Sequence, residues 1–240
     1  MSDVLRMDGV GLVVSGKKIL NNISLNIRQN SAATIMGPNG AGKTTLLKIA
    51  VGLIRPTWGD LYFFGKKGLD RHSCSLLGYI PQNLGLVNEL SVFSNIMMGA
   101  LRRMPRWRSL LGMYQKEILD EAYSIMYELK LTNLKDTKVK KLSGGEKQRV
   151  AIARTLLQKP SVIFSDEMTA SLDFKAAVAV MDIFAEIRKK RGITLLMTHH
   201  NPEIAKMYSD TVFIMLKGKV EKRISSEEMS KEAISNLYEA

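Results

Sequence analysis

The chain has 240 residues, which is one to two domains at ~150 residues each and long enough for a core without disulfide or metal staples. Hydrophobic residues make 45% and charged residues 24%, which excludes disordered, collagen-like and coiled-coil compositions. Lys and Arg number 35 against 23 Asp and Glu, so the net charge is +12; that suits an anionic partner (nucleotide, nucleic acid or an acidic membrane face) without choosing among them.

In chain order, residues 4–28 carry short apolar stretches broken at Gly16 and at Asn21-Asn22, the pattern of strands separated by turns. Ala32–Met36 is an apolar strand, and Thr44–Val51 a helix. Leu61–Phe64 and Leu76–Ile80 are further strands. From Leu90 to Leu134 helical spacing takes over, with Ile118, Ala122, Ile125, Met126 and Leu129 on one face. Another helix runs from after Gly145 to about Gln158. Val162–Ser165 is a strand, Lys175–Arg191 a helix, Ile193–Met197 a strand, and Val212–Leu216 a strand followed by a Lys-Gly turn. Residues 226–240 read as a short amphipathic tail helix. Strands alternating with helices imply an α/β core with a parallel sheet, interrupted by a helical block.

Cys74 is the only cysteine, which excludes a disulfide scaffold and fits a reducing cytosol. The first residues have no basic head before an apolar run, so no signal peptide is expected. No apolar stretch reaches ~18 residues, so no membrane-spanning helix is expected either. The 14 methionines are read as adaptable core packing rather than metal ligands.

Gly37-Pro38-Asn39-Gly40-Ala41-Gly42-Lys43-Thr44 fits G-x-x-x-x-G-K-[ST] at every fixed position, between a strand and a helix. Glycines let consecutive backbone N–H groups turn inward onto phosphate oxygens, and the helix aims its positive end at the same anion. Lys43 is expected at the β/γ-phosphates and Thr44 at Mg²⁺. Val162-Ile163-Phe164-Ser165-Asp166-Glu167 is an apolar strand ending in two acids. Asp166 suits a second contact to Mg²⁺, and Glu167 a base that orients the attacking water. Ser143-Gly144-Gly145 opens onto a helix and makes a second anion-seeking loop.

The run Leu142-Ser143-Gly144-Gly145-Glu146-Lys147-Gln148-Arg149-Val150-Ala151-Ile152-Ala153-Arg154, in this order after the phosphate loop and before the acid pair, resembles the ATP-binding subunit of ABC transporters over nearly the whole chain. The resemblance implies an α/β fold: a P-loop NTPase core with a mixed, mainly parallel sheet, an N-terminal antiparallel β region and an inserted α-helical subdomain. It implies one ABC ATPase domain, with the nucleotide-binding core at 1–90 and 156–225, the helical subdomain at 91–155 and the tail helix at 226–240. ATP would be held by Gly37, Pro38, Asn39, Gly40, Ala41, Gly42, Lys43, Thr44 and Thr45, and Mg²⁺ by Thr44, Gln82 and Asp166. Glu167, His199 and Gln82 would be catalytic. Two copies would pack head to tail on ATP binding, with Ser143, Gly144 and Gly145 meeting the other copy's ATP and Asp173 in the loop that crosses the dimer.

The same resemblance implies a separate integral membrane permease as partner, a solute-binding protein if the system imports, a place on the inner face of the cell membrane, and no nucleic acid. Gly99–Arg103 and Trp107–Gly112 look like the helical segment of phosphonate-importer ATPases. The residues leave an exporter-type subunit, or a non-transport ATPase of this family acting on ribosome or nucleic acid, as alternatives. Five residues depart from the family's pattern: Val13 and Val14 where an adenine-stacking aromatic is common, Ser165 before the acid pair, Met168 after it in place of proline, and His200 in place of aspartate.

Overall fold

The computed structural model describes residues 2–105 and 113–229. Strands β1 (Asp3–Val14) and β2 (Lys17–Arg28) form an antiparallel hairpin. Its turn, Ser15-Gly16, has positive φ at both residues, the geometry that matches strand twist in a two-residue loop. The expected break at Asn21-Asn22 is not there, because β2 runs through both residues. Between the pairs Val10↔Ile23 and Leu12↔Leu20 the register slips, and the Asn21 N–H leaves the ladder to donate to the Gly218 carbonyl at 2.8 Å. Strands β4 (Trp58–Phe63) and β5 (Lys66–Lys67) complete a four-stranded sheet in the order β2-β1-β4-β5.

The second sheet carries the site. It holds β3 (Ala32–Met36), β6 (Leu77–Ile80), β7 (Val162–Asp166), β8 (Thr194–Thr198), β9 (Thr211–Leu216) and β10 (Lys219–Ser225), in the order β10-β9-β3-β8-β7-β6. All its pairings are parallel except the edge pair β9–β10. Every residue of β3, β7 and β8 is buried, as strands covered on both faces require. Side-chain alternation sends Ala33, Ile35, Phe164 and Leu196 to one face, under the first sheet and helix α1 (Lys43–Ala50). Ala32, Ile163, Leu195 and Met197 go to the opposite face, into the core shared with the helices.

Between β6 and β7 the described residues form no strand. They carry α3 (Val92–Met97), a 3₁₀ turn over Met98–Arg103, α4 (Lys116–Glu128) and α5 (Gly144–Leu156), while α2 (Arg71–Ser75) precedes β6. The α4 face is the one its spacing predicts: Ile118, Ala122, Ile125 and Met126 are buried, with Leu129 at its end. Helices α6 (Phe174–Arg191) and α7 (Pro202–Tyr208) follow. Residues 106–112, which include the whole Trp107–Gly112 segment, and residues 230–240 of the expected tail helix lie outside the described residues. Among the described residues no helix is long and apolar enough to cross a membrane.

Candidate functional site: a phosphate cradle beside a carboxylate pair

Four loops leave the C-terminal ends of adjacent parallel strands: the glycine loop after β3, Gln82 after β6, Asp166-Glu167 at the end of β7, and His199 after β8. Strand order alone therefore gathers residues that lie more than 160 positions apart, at the edge where open parallel sheets bind ligands. A cleft of about 520 Å³ opens there, lined by Ile19, Asn39, Gly40, Gly42, Lys43, Thr44, Thr45, Gln82 and Glu167.

The glycine loop folds around Lys43. The Lys43 ammonium donates to the carbonyls of Gly37 at 2.9 Å and Pro38 at 3.2 Å, and lies 3.6 Å from Glu167 Oε1. Its side chain is buried apart from the head group's opening to the cleft. Gly37 is required by packing, since a Cβ there would lie 2.1 Å from the Met215 carbonyl oxygen on β9. Pro38 and Ala41 shape the loop from behind: the Ala41 N–H donates to the Pro38 carbonyl, and the Ala41 carbonyl accepts from Gly218. The first turn of α1 carries no acidic residue, so its unpaired N–H groups face the cleft uncompensated.

The acid pair is held from β8. Asp166 is buried and its Oδ1 accepts from Thr44 Oγ1 at 3.0 Å and from Thr198 Oγ1 at 2.8 Å. The same Thr198 hydroxyl accepts the Glu167 N–H at 2.9 Å. Glu167 has φ 44°, a left-handed backbone that costs a side-chain-bearing residue about 1–3 kcal/mol. That strain turns its carboxylate off the strand and into the cleft, where Oε2 accepts from Gln82 Nε2 at 3.3 Å. A hydroxyl and a carboxylate oxygen at 3.0 Å are hard oxygen donors of the kind Mg²⁺ takes, with room left for phosphate and water.

His199 is buried and sits behind the cleft rather than in its lining. Its Nδ1 accepts the Asn201 N–H at 2.9 Å, which assigns the proton to Nε2 and directs that donor to Thr169 Oγ1 at 2.9 Å. Burial first, and the neighbouring His200 second, push the imidazole pKa from 6.5 down to about 4. The folded value is the lower one, so this group's contribution to stability is complete above pH 6.5 and is lost as pH falls towards 4. The loss amounts to about 2 kcal/mol at pH 5. Urea unfolding without nucleotide is expected to reveal it as a pH 7.5-to-5 decrease that His199→Gln lacks; equal decreases in both proteins would contradict it.

Ser143, Gly144 and Gly145 do not line this cleft. Ser143 caps α5 in a reciprocal box: its hydroxyl accepts the Glu146 N–H, and Glu146 Oε2 accepts the Ser143 N–H at 2.7 Å. These bonds hold the Glu146 carboxyl below its usual pKa. Asp173 caps α6 by accepting the Ala176 N–H at 2.9 Å. Thr198, Thr169 and Asn201 are contributors that motif reading does not reach. Their neighbours are fixed by strand pairing, and only the Asn201-Pro202 cap of α7 has a local signal. Ile19 on β2 supplies the cleft's apolar lining, while Val14 at the end of β1 is half exposed.

A glycine loop on a helix N-terminus, a buried lysine and an adjacent carboxylate–hydroxyl pair, on a parallel sheet, define a P-loop nucleotide-binding protein. The family profile described as ABC transporter matches residues 20–170. A protein from Pseudomonas aeruginosa (strain UCBPP-PA14), phosphonates import ATP-binding protein PhnC 1, is 36% identical over 100% of this chain and 90% of its own length. The ADP conformation of MJ1267, an ATP-binding cassette of an ABC transporter, superposes with a TM-score of 0.86 at 26% identity, covering 100% of both chains. The dimeric post-hydrolysis state of the cassette MJ0796 bound to ADP and Pi superposes at 0.76 and 26% identity, covering 94% of this chain and 100% of that one. The chain belongs to the ABC transporter family, as an ATP-binding subunit.

Proposed function

We propose that this subunit hydrolyses ATP and, as a pair, drives a separate membrane permease that imports a phosphonate or a related small solute. The observation that carries the hydrolytic half is the Thr44–Asp166–Thr198 chain of hydrogen bonds with Glu167 and Lys43 beside it. In this reading Gly37 to Thr45 cradle the phosphates, and Lys43 turns from the Gly37 and Pro38 carbonyls to the terminal phosphate. Thr44, Asp166 and Gln82 hold Mg²⁺, which when bound neutralises phosphate charge. Glu167 takes the proton of the attacking water, with Gln82 fixing the carboxylate's orientation. His199 donates to the γ-phosphate.

Ser143, Gly144 and Gly145 do not line their own chain's cleft, which suits contact with a nucleotide held by a second copy; Asp173 lies at the end of the loop that would cross between the two. The relative's name, phosphonates import ATP-binding protein, supports the cargo class and the direction. Exposed Val87, Leu90 and Leu101, close to the Gln82 loop and α3, offer apolar surface for the permease on the inner face of the membrane. A solute-binding protein would deliver the cargo. The domain division into a core at 1–90 and 156–225 and a helical block at 91–155 follows from the same reading. Uptake of a labelled alkylphosphonate is expected to disappear in cells lacking the chain and to return with it; unchanged uptake would overturn the cargo assignment.

A further inference from the structure

We propose that Thr169 is a positioning residue that parks His199 in the nucleotide-free subunit, so that engaging a terminal phosphate requires breaking the Thr169–His199 hydrogen bond. The inference rests on the reading of His199 as a γ-phosphate donor. Both side chains are buried, 3% and 4% exposed, so their bond faces little competition from solvent. The Asn201 N–H occupies Nδ1 at 2.9 Å, leaving Nε2–H as the ring's single donor. Thr169 Oγ1 takes that donor at 2.9 Å. A phosphate oxygen and Thr169 therefore compete for one proton.

Thr169 is well placed for this competition. It stands two residues after Glu167 in a turn closed by the Ala170 N–H to the Glu167 carbonyl at 3.0 Å and the Leu172 N–H to the Thr169 carbonyl at 3.1 Å. The turn runs straight into Asp173 at the start of α6. Release of His199 thus frees a hydroxyl in the segment that joins the water-activating acid to the α6 cap. A state that must first break a bond of ordinary net strength binds its ligand about threefold to tenfold more weakly than a state already free.

The test is the ratio of affinities for a non-hydrolysable ATP analogue and for ADP, which isolates the terminal phosphate. Thr169→Val keeps the shape and removes the acceptor, and is expected to shift the ratio about threefold to tenfold toward the triphosphate. Thr169→Ser keeps the hydroxyl and is expected to match the wild-type ratio. In a His199→Ala background the Thr169→Val shift should vanish, as coupling through one contact requires. An unchanged or lowered ratio in Thr169→Val, with His199→Ala still weakening the triphosphate, overturns the parking role alone. A His199→Ala ratio equal to wild type overturns the γ-phosphate reading and the proposal with it. Should Thr169→Val fail to fold, ¹⁵N imidazole spectra of the wild-type protein serve instead. They are expected to report the Nε2–H form without nucleotide and a moved Nε2–H resonance with the analogue; an Nδ1–H form, or no movement, overturns the proposal.

Discussion

Glu167→Gln is expected to reduce steady-state ATP turnover by about 100-fold or more while leaving ATP binding intact. The amide keeps the shape and the contact to Gln82 but cannot accept a proton from water. Binding is expected to hold, because the substitution also removes the carboxylate that lies 3.6 Å from the Lys43 ammonium, and Lys43 is then freer to meet phosphate. Phosphate release and equilibrium nucleotide binding, measured side by side, separate the two effects. Turnover within a few-fold of wild type would remove Glu167 from the chemistry. Loss of binding together with turnover would make it a structural partner of Lys43.

Gly37→Ala is expected to cost about 2 kcal/mol of stability, some 4–8 °C in melting temperature, and to abolish ATP-dependent stabilisation. The new Cβ would meet the Met215 carbonyl oxygen at 2.1 Å and its carbon at 3.1 Å, backbone atoms that cannot rotate away. The only relief is to move the glycine loop off β9, which dismantles the carbonyl pair that holds Lys43. Gly40→Ala is the control for stability alone: nothing in the chain lies within 4 Å of its Cβ, so its melting temperature bears only the cost of a positive φ. Equal melting temperatures for Gly37→Ala and Gly40→Ala would contradict this packing account.

The residues that carry the chemistry were legible because phosphate loops and strand-end acids are local patterns. Lys43, Thr44, Asp166 and Glu167 come together in the fold as their motifs imply. Thr198, which holds both acids, was not legible: its role comes from β7–β8 pairing, and nothing in Met197-Thr198-His199 announces that neighbour. Strand β10 is not legible in the sequence because Lys-Val-Glu-Lys-Arg-Ile-Ser is polar, as an edge strand that resists further pairing should be. Asn21-Asn22 looked like a turn, and its backbone does depart from the ladder. The departure is a bulge, tied down by Gly218 from 197 residues away. Ser143 with Glu146 three residues on is a capping box, a local signal that places the start of α5 at Gly144, two residues before the start read after Gly145.

The most direct test of the account is a mild-detergent co-purification of the tagged chain from its native membranes. A polytopic permease retained in stoichiometric amount, with ATP turnover that falls on Glu167→Gln in the same complex, is the predicted result. Ribosome or nucleic acid recovered without any permease would contradict the transport role, while leaving the nucleotide site as described.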